Sequence, residues 1–296
     1  MEAELVSRDG HFVPGKPVET ALRLKIKPHW HTYWRNPGDS GLPTKLDWQL
    51  PDGFRAGNID WPYPKRLPLG PLMNFGYEGE VLHLVKIETP HAWPAGKKAE
   101  FRAKAEWLVC SDVCIPESAE LSLTLPASSE SPKRTQFETA FADANAALPA
   151  AGPGAKAEAL SGKLRLAVET RANKPAILFY PYAEGLIANA VTQAVDLSGS
   201  GTVVTVALAE PPMELPKDIR GILVAEQGWP QFGGRRAIEV SASLSGSLPA
   251  ANTGSGNAEN LGLTAAILLG LAGGLLLNLM PCVFPVLGIK LMQFAN

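Results

Sequence analysis

The sequence predicts a mainly β chain, in which two β-sandwich domains are joined by a helix and a linker and followed by one truncated transmembrane helix. Proline and glycine are numerous, with 26 and 28 residues among 296. Short alternating segments divided by such turn residues are typical of β-sandwiches. From residue 260 to residue 289 there is no charged side chain, and this stretch is long enough to span a bilayer.

Residues 1–127 are predicted to form the first sandwich. Val18–Lys25 alternates apolar and polar residues, as a half-buried strand does. The stretch 61–71 has too many prolines for a central strand, so we expect a long functional loop that runs over the surface. The remaining predicted strands of this domain are 44–49, 81–88, 100–109 and 120–125.

Residues 128–159 are predicted to form a helix and a linker. Ser131 can cap a helix over 131–148, Pro132 suits its first turn, and apolar residues recur at helical spacing. We expect this helix to pack between the two domains. The second sandwich, 160–246, has no Cys or His and is interpreted as a structural spacer. Its predicted strands are 164–169, 176–180, 203–209, 221–225 and 237–242, and it is followed by a flexible linker, 247–260, and the transmembrane helix, 261–296.

The net charge and the residues at the two ends of the chain indicate which partners and which cellular location to expect. The net charge is −2 and no basic stripe is present, which excludes nucleic acid as an expected partner. No secretory signal begins the chain, since Glu2 and Glu4 follow Met1, so we expect a mature or trimmed protein. One membrane span that ends shortly after Lys290 predicts a piece of a longer membrane protein with its C-terminal end in the cytoplasm.

Two of the three cysteines lie in CSDVCIPE, residues 110–117. They can form a structural disulfide, a metal clip or a redox pair. A disulfide needs Cα atoms within about 7 Å, so the chain must turn in a tight loop between strands near 103–109 and 119–125. Closing so small a ring stabilises the fold by only about 2 kcal/mol. Zinc normally needs four ligands, and only His83 and His91 lie within thirty residues of the loop.

The third cysteine, Cys282, lies between Pro281 and Pro285 inside the apolar stretch. A single membrane cysteine can be a small apolar filler. Prolines in a membrane helix, however, are tolerated where the backbone is buried in protein or lines a cavity. The flanking prolines therefore favour a functional thiol.

Four segments together resemble a known family. NLMPCVFPVLGIK, residues 278–290, is similar to the first membrane helix of the DsbD/CcdA family of transmembrane electron transporters. Three segments resemble the periplasmic N-terminal domain of DsbD-like proteins, with the best likeness in the ScsB branch, suppressor for copper sensitivity. They are HWHTYWRNPGDSGLP (29–43), WPYPKRLPLGPLMNFGYEGEV (61–81) and WLVCSDVCIPE (107–117).

This resemblance implies immunoglobulin-like sandwiches and a protein-disulfide reductase. Cytoplasmic thioredoxin would reduce a membrane Cys pair, which passes electrons to periplasmic modules. The N-terminal immunoglobulin-like domain would then reduce a periplasmic thioredoxin-fold isomerase or reductase. By resemblance, Cys110 and Cys114 are the redox pair, Cys114 forms mixed disulfides, and Cys282 is the first cysteine of the membrane pair. Residues 1–260 would lie in the periplasm and the rest in the bacterial inner membrane. The remaining membrane domain, and a thioredoxin-like C-terminal module where one exists, lie outside these 296 residues.

The family also shields its Cys pair with a mobile loop that carries an aromatic residue. The matching segment is 69–77, so we expect Phe75, or secondarily Tyr77, to be that cap. Tyr33, Trp34 and Glu106 are further candidates to line the site. The cysteines are separated by three residues here and by more in the best-known members, which affects loop shape and partner choice.

Two other hypotheses stay open. The first is a copper-handling module, because His29 and His31 would share one strand face. The second is a purely structural pair of sandwiches. No cofactor is implied by the sequence.

Overall fold

The structure is a computed structural model that describes residues 1–174, 176–197, 199, 201–210 and 215–245. They belong to one compact unit, Met1–Leu248, and the chain is mainly β, as predicted. Within them the helix is α1 Glu138–Ala147, the 3-10 turn is Pro230–Phe232, and the strands are β1 Glu2–Ser7, β2 Val18–Lys25, β3 Thr32–Gly38, β4 Lys45–Gln49, β5 Arg55–Ala56, β6 Lys65–Leu69, β7 Leu72–Tyr77, β8 Glu80–Glu88, β9 Lys98–Cys110, β10 Cys114–Pro126, β11 Ala155–Leu160, β12 Lys163–Val168, β13 Ile177–Pro181, β14 Ala194–Asp196, β15 Thr202–Ala207, β16 Asp218–Ala225 and β17 Ala237–Ser245.

The first sandwich pairs a sheet of order β1-β2-β8-β5 with a sheet of order β10-β9-β4. Strand β9 alternates strictly, because Ala99, Phe101 and Ala103 are buried while the charged residues between them are exposed. Burial of one face in this way fixes the register of the strand, since a slip of one residue would turn the charges inward. The core of this domain therefore lies between β9 and the β2–β8 pair.

A separate three-stranded ribbon of order β3-β7-β6 lies beside this sandwich. It corrects the expectation that 61–71 is a surface loop. Residues 65–69 form β6, which pairs with β7, and Leu67 is buried. Pro68 is compatible with this strand because β6 is the edge of the ribbon, where a missing N–H breaks no ladder.

Helix α1 begins at Glu138, later than the predicted start at 131. The residues before it are bound to the end of β1 instead. Thr135 donates its N–H to the carbonyl of Arg8 and its hydroxyl to the carbonyl of Ser7. The helix packs Phe141 on the outer face of the β1–β2–β8 sheet, and its C-terminal carbonyls accept from Arg235 of the second domain.

The second sandwich is built from strands in the order β13-β16-β17-β11-β12-β15-β14. Strands lie at all five predicted positions of this domain, with ends that differ by a few residues. Its own core centres on Leu164, Phe179 and Trp229. Tyr180 instead joins the core cluster of the first domain, where its ring contacts Trp34 and Phe75.

The predicted linker 247–260, the predicted transmembrane helix 261–296 and Cys282 lie outside the described residues. Among the residues that the structure describes, none of the helices has both the length and the apolar character needed to cross a bilayer. The predicted domain boundaries remain predictions.

Candidate functional site

The cysteine pair lies at the tip of the β9–β10 hairpin. Cys110 ends β9, Cys114 begins β10, and the two are register partners joined by a disulfide. Between them the chain reverses direction, with Ser111 N–H donating to the carbonyl of Val113 at 3.0 Å. The predicted tight turn between two strands is thus present, and β10 tolerates Pro116 because it is an edge strand.

Backbone pairing explains why the two cysteines come so close. Cys110 exchanges both of its backbone hydrogen bonds with His31, each at 2.9 Å. It therefore makes none across to Cys114, and the cysteines form a non-hydrogen-bonded pair. Residues in such a pair of antiparallel strands have their Cα atoms about 4.5 Å apart, and the observed distance is 4.1 Å. The ladder thus brings the two sulfurs within bonding reach.

The two cysteines differ in their exposure to solvent. Cys110 is 0% exposed, whereas Cys114 is an exposed residue. The residues beside Cys114 are also open to solvent, since Val113 is 61% and Ile115 is 43% exposed. An incoming protein can therefore reach Cys114, while Cys110 is shielded behind it.

The Tyr33 side chain lies beside the sulfur of Cys114. Its hydroxyl oxygen lies 3.7 Å from Sγ of Cys114, and the ring is fully buried. Burial raises the pKa of Tyr33, and the neighbouring Ser40 hydroxyl opposes that rise. The phenol therefore keeps its proton at neutral pH and can donate it in a hydrogen bond to a thiolate. The prediction that Tyr33 lines the site agrees with this contact.

His31 packs behind Tyr33, with ring centroids 5.2 Å apart in an edge-on arrangement. Its Nε2 is buried without a hydrogen-bond partner among the described residues. Burial lowers the pKa of His31, and the Glu78 carboxylate opposes this effect. A neutral imidazole therefore lies next to the disulfide. From the sequence, His31 is considered only as a possible metal ligand, and its place beside the disulfide is not predicted.

The three other aromatic candidates lie on the opposite face of the β3–β7 ribbon. Thr32 opposes Tyr77, and Tyr33 opposes Gly76. Because side chains alternate along a strand, Trp34, Phe75 and Tyr77 face the core and Tyr33 faces the disulfide.

The expectation that Phe75 caps the cysteines stays a prediction, and this structure places the residue in the core. It is 1% exposed, with its ring 4.9 Å from Tyr180 of the second domain. Tyr77 is likewise internal, donating its hydroxyl to the carbonyl of Pro62 at 2.7 Å. Burial raises the pKa of Tyr77 well above its usual range. In this structure both residues pack in the core, on the face of the ribbon opposite to the disulfide.

Glu106 lies on the outer side of β9, four residues before Cys110. It forms an ion pair with Lys104 at 2.5 Å, and this hydrogen-bonded pairing lowers the pKa of Glu106. It lines a groove of about 330 Å³ that also includes Leu42 and Pro116. Glu106 thus borders a surface next to the hairpin and has no described contact with the sulfurs.

The copper-handling hypothesis finds no geometric support in the described part of the chain. His29 lies in a turn with φ of 69° and does not share a strand face with His31, which corrects that expectation. Nowhere in those residues do three or more His, Cys, Asp or Glu side chains gather as a metal site would need.

Comparison with known families identifies the first domain. Residues 2–126 match the family model described as thiol:disulfide interchange protein DsbD, N-terminal. The match covers both cysteines of the hairpin, His31 and Tyr33. The predicted resemblance to DsbD-like proteins is thereby confirmed for this domain.

Among the solved structures, one has a similar fold over most of this chain. The N-terminal periplasmic domain of ScsB from Proteus mirabilis matches with a TM-score of 0.57 and 19% identity, over 82% of this chain and 92% of that one. The periplasmic chaperone SfaE matches with a TM-score of 0.23 and 9% identity, over 81% and 99%. The major pilin subunit BcpA of Bacillus cereus matches with a TM-score of 0.25 and 9% identity, over 77% and 60%. A search of curated proteins gives no match.

Proposed function

We propose that this chain is the thiol–disulfide exchange part of a transmembrane electron transporter, because residues 2–126 match the family model described as thiol:disulfide interchange protein DsbD, N-terminal. Its two sandwiches lie in the periplasm and its C-terminal segment enters the bacterial inner membrane. The observation that carries this proposal is the unequal exposure of the two bonded cysteines, with Cys110 buried and Cys114 open. Exchange needs one sulfur that a partner can reach and a second one that is held in place to resolve the intermediate.

The reaction proceeds in two steps. The Cys114 thiolate attacks one sulfur of the partner's disulfide, so that the partner's S–S bond breaks and a mixed disulfide forms. The partner's other sulfur leaves as a thiolate and takes up a proton. Cys110 then loses its proton and attacks Sγ of Cys114, which closes the Cys110–Cys114 bond and releases the partner's second thiol. Two electrons and two protons have passed to the partner.

Two side chains of the ribbon support the first step. The Tyr33 hydroxyl can donate a hydrogen bond to the Cys114 thiolate from its position 3.7 Å away. A donor to the charged form lowers the pKa of a thiol, and so raises the fraction that can attack at neutral pH. His31 holds Cys110 through the paired backbone bonds and keeps the resolving cysteine in register.

The surface around Cys114 suits a protein substrate. Exposed apolar side chains at Val113 and Ile115 adjoin the sulfur, and grooves lie along both sides of the hairpin. Apolar surface of this kind commonly marks a protein-binding site. By family resemblance, the partner is a periplasmic thioredoxin-fold disulfide isomerase or reductase.

The proposed electron source is the membrane segment. Cys282, between Pro281 and Pro285, would pair with a cysteine of the remaining membrane domain. Cytoplasmic thioredoxin would supply that pair with electrons, and the pair would pass them to Cys110 and Cys114, directly or by way of a thioredoxin-like C-terminal module. This chain is then the outward end of the relay.

A redox titration tests the proposal. The chain carrying Cys282→Ala is equilibrated in glutathione buffers of graded potential, and the fraction of free Cys110 and Cys114 is counted by alkylation and mass spectrometry. We expect a midpoint between about −180 and −270 mV, the range of thioredoxin-fold exchange proteins. A midpoint below about −300 mV is typical of a structural disulfide, and would favour the structural hypothesis instead.

A further inference from the structure

A short loop, residues 39–42, joins the disulfide site to the second domain. Its glycine, Gly41, has φ of +108° and lies with its backbone against the ring of Tyr33. A side chain at this position would overlap that ring. The position of the loop therefore decides where the Tyr33 hydroxyl can lie relative to Cys114.

The first domain holds this loop through β7. Asn74 is fully buried, and its Oδ1 accepts hydrogen bonds from the N–H and the hydroxyl of Ser40 at 3.2 and 3.0 Å. Asp39 accepts from the N–H of Met73 through Oδ2 at 2.7 Å. These bonds attach the loop to the ribbon that carries the core aromatics.

The second domain holds the same loop from the other side. Asn189 donates its Nδ2 to Oδ1 of Asp39 at 2.7 Å, although the two residues are 150 positions apart. Asn189 is 5% exposed, and its own carbonyl accepts from Arg66 on β6. A hydrogen bond to a carboxylate is shorter and stronger than one between neutral groups, so this contact is a firm link between the two domains.

A second link lies just before the loop. Asn36 donates its Nδ2 to the carbonyls of Pro181 and Ala183 at 2.8 and 3.2 Å, and its Oδ1 accepts from the N–H of Gly38. The segment from Asn36 to Asp39, which follows Tyr33, is thus bound to the second domain at both of its ends. Nothing in the exchange chemistry by itself calls for these contacts.

We propose that the second domain positions Tyr33 against Cys114 through the Asn189–Asp39 hydrogen bond, so that Asn189 is a positioning residue for the exchange reaction. This inference rests on the proposed function and gives the second sandwich a role beyond that of a spacer. Without this bond, Asp39 is no longer attached to Asn189 of the second domain. The loop can then move, and the backbone of Gly41 no longer keeps the Tyr33 ring in place. The Tyr33 hydroxyl then spends less time in reach of the Cys114 sulfur.

The test measures the pH profile of Cys114 alkylation. The full chain carries Cys110→Ala and Cys282→Ala, so that Cys114 is its only thiol. Into this chain are placed Tyr33→Phe, Asn189→Ala, both together, and the control Gln193→Ala. Gln193 is a matched control because it is also an amide of the second domain and bonds only to the backbone of Phe179 in the described structure.

We expect Tyr33→Phe and Asn189→Ala each to raise the pKa of Cys114 and to slow alkylation near neutral pH by roughly threefold to tenfold, about half to one pKa unit. The double variant should match Tyr33→Phe, since Asn189 acts through Tyr33. Gln193→Ala should leave the profile unchanged. An Asn189→Ala profile equal to that of Gln193→Ala, or effects that add in full in the double variant, would overturn the proposal.

A rescue experiment separates positioning from a general loss of folding. Asn189→Asp sets two carboxylates against each other and should slow alkylation more than Asn189→Ala does. The exchanged pair Asp39→Asn with Asn189→Asp again offers an amide to a carboxylate, and the amide oxygen introduced at position 39 can still accept from the N–H of Met73. It should recover the original profile. Failure of the exchanged pair to recover it in a chain that unfolds at the original temperature would contradict the proposal. The redox titration tests the proposed function separately.

Discussion

The two sandwiches of this chain have similar interiors and different chemistry. Each is filled by large apolar side chains, with Phe101 in the first and Phe179 in the second fully buried. The first carries Cys110, Cys114 and all five histidines, whereas residues 160–246 contain neither residue type. Because the two share an architecture, the proposed exchange activity depends on the residues that the first one carries and not on the architecture itself. The proposed site combines one hairpin tip, the ribbon behind it and the polar contacts that hold both.

The first prediction concerns what the two sandwiches share. Phe101→Ala and Phe179→Ala each remove a buried ring, and each should lower the free energy of unfolding by about 3–5 kcal/mol. Urea unfolding followed by tryptophan fluorescence measures the effect. A cost below about 1 kcal/mol at one site, as expected of a surface substitution, would show that the two cores are not equivalent.

The second prediction concerns His83, which is fully buried on β8 of the first sandwich. Burial lowers its pKa to about 3, against about 6.5 in the unfolded chain. Because the unfolded state binds the proton more readily, His83 contributes stability that is complete above about pH 6.5 and is lost as the pH falls toward 3.

Between about pH 7 and pH 5 this effect should cost about 2 kcal/mol of unfolding free energy. His83→Leu serves as the comparison, because neither ring nitrogen of His83 has a hydrogen-bond partner within the described residues. Unfolding in urea at both pH values should give a smaller loss for the leucine variant. An equal loss of unfolding free energy in the two proteins would mean that groups other than His83 cause the acid sensitivity.

The third prediction compares two glycines with positive φ, one in each sandwich. Gly41 has φ of +108° beside the Tyr33 ring, whereas Gly233 has φ of +64° with open space around it. Alanine at either position should cost about 1–3 kcal/mol through backbone strain. Only Gly41→Ala should also change the rate at which Cys114 is alkylated, because only this side chain displaces Tyr33. Equal alkylation rates in the two variants would show that the loop at Gly41 does not affect Cys114 through Tyr33.

The fourth prediction concerns the contact between the sandwiches. The ring of Tyr180 lies edge-on to Phe75, with centroids 4.9 Å apart. A double-mutant cycle with Phe75→Leu and Tyr180→Leu should give a coupling energy of about 0.5–1.5 kcal/mol. Trp229→Phe with Phe75→Leu is the control cycle, since Trp229 belongs to the separate core of the second sandwich. A coupling no larger than in the control would mean that this contact does not join the domains.

The hairpin was predictable from sequence because its signals are local. CSDVC places turn residues between two thiols that must approach each other, and β9 has a clear period of two. The ribbon was harder to predict because Pro37, Gly38 and Pro68 interrupt the strand pattern. The strands form because their partners, β3 with β7 and β7 with β6, satisfy the backbone groups.

The role of Phe75 could not be predicted from its neighbours in sequence. Its burial depends on which face of the ribbon it occupies and on Tyr180, more than one hundred residues away. The Asp39–Asn189 bond likewise joins two ordinary polar residues that no local pattern relates. Long-range contacts of this kind are fixed by tertiary packing, which a single sequence does not encode in its periodicity.

The central claim is that Cys114 is the attacking thiol and Cys110 the resolving one. The direct measurement compares Cys110→Ala with Cys114→Ala, both in a chain carrying Cys282→Ala, by following the formation of a mixed disulfide with oxidised glutathione by mass spectrometry. The Cys110→Ala chain, which keeps the exposed Cys114, should react at least about tenfold faster, because exchange depends on access to the thiol. Equal rates, or faster reaction through Cys110, would contradict the account.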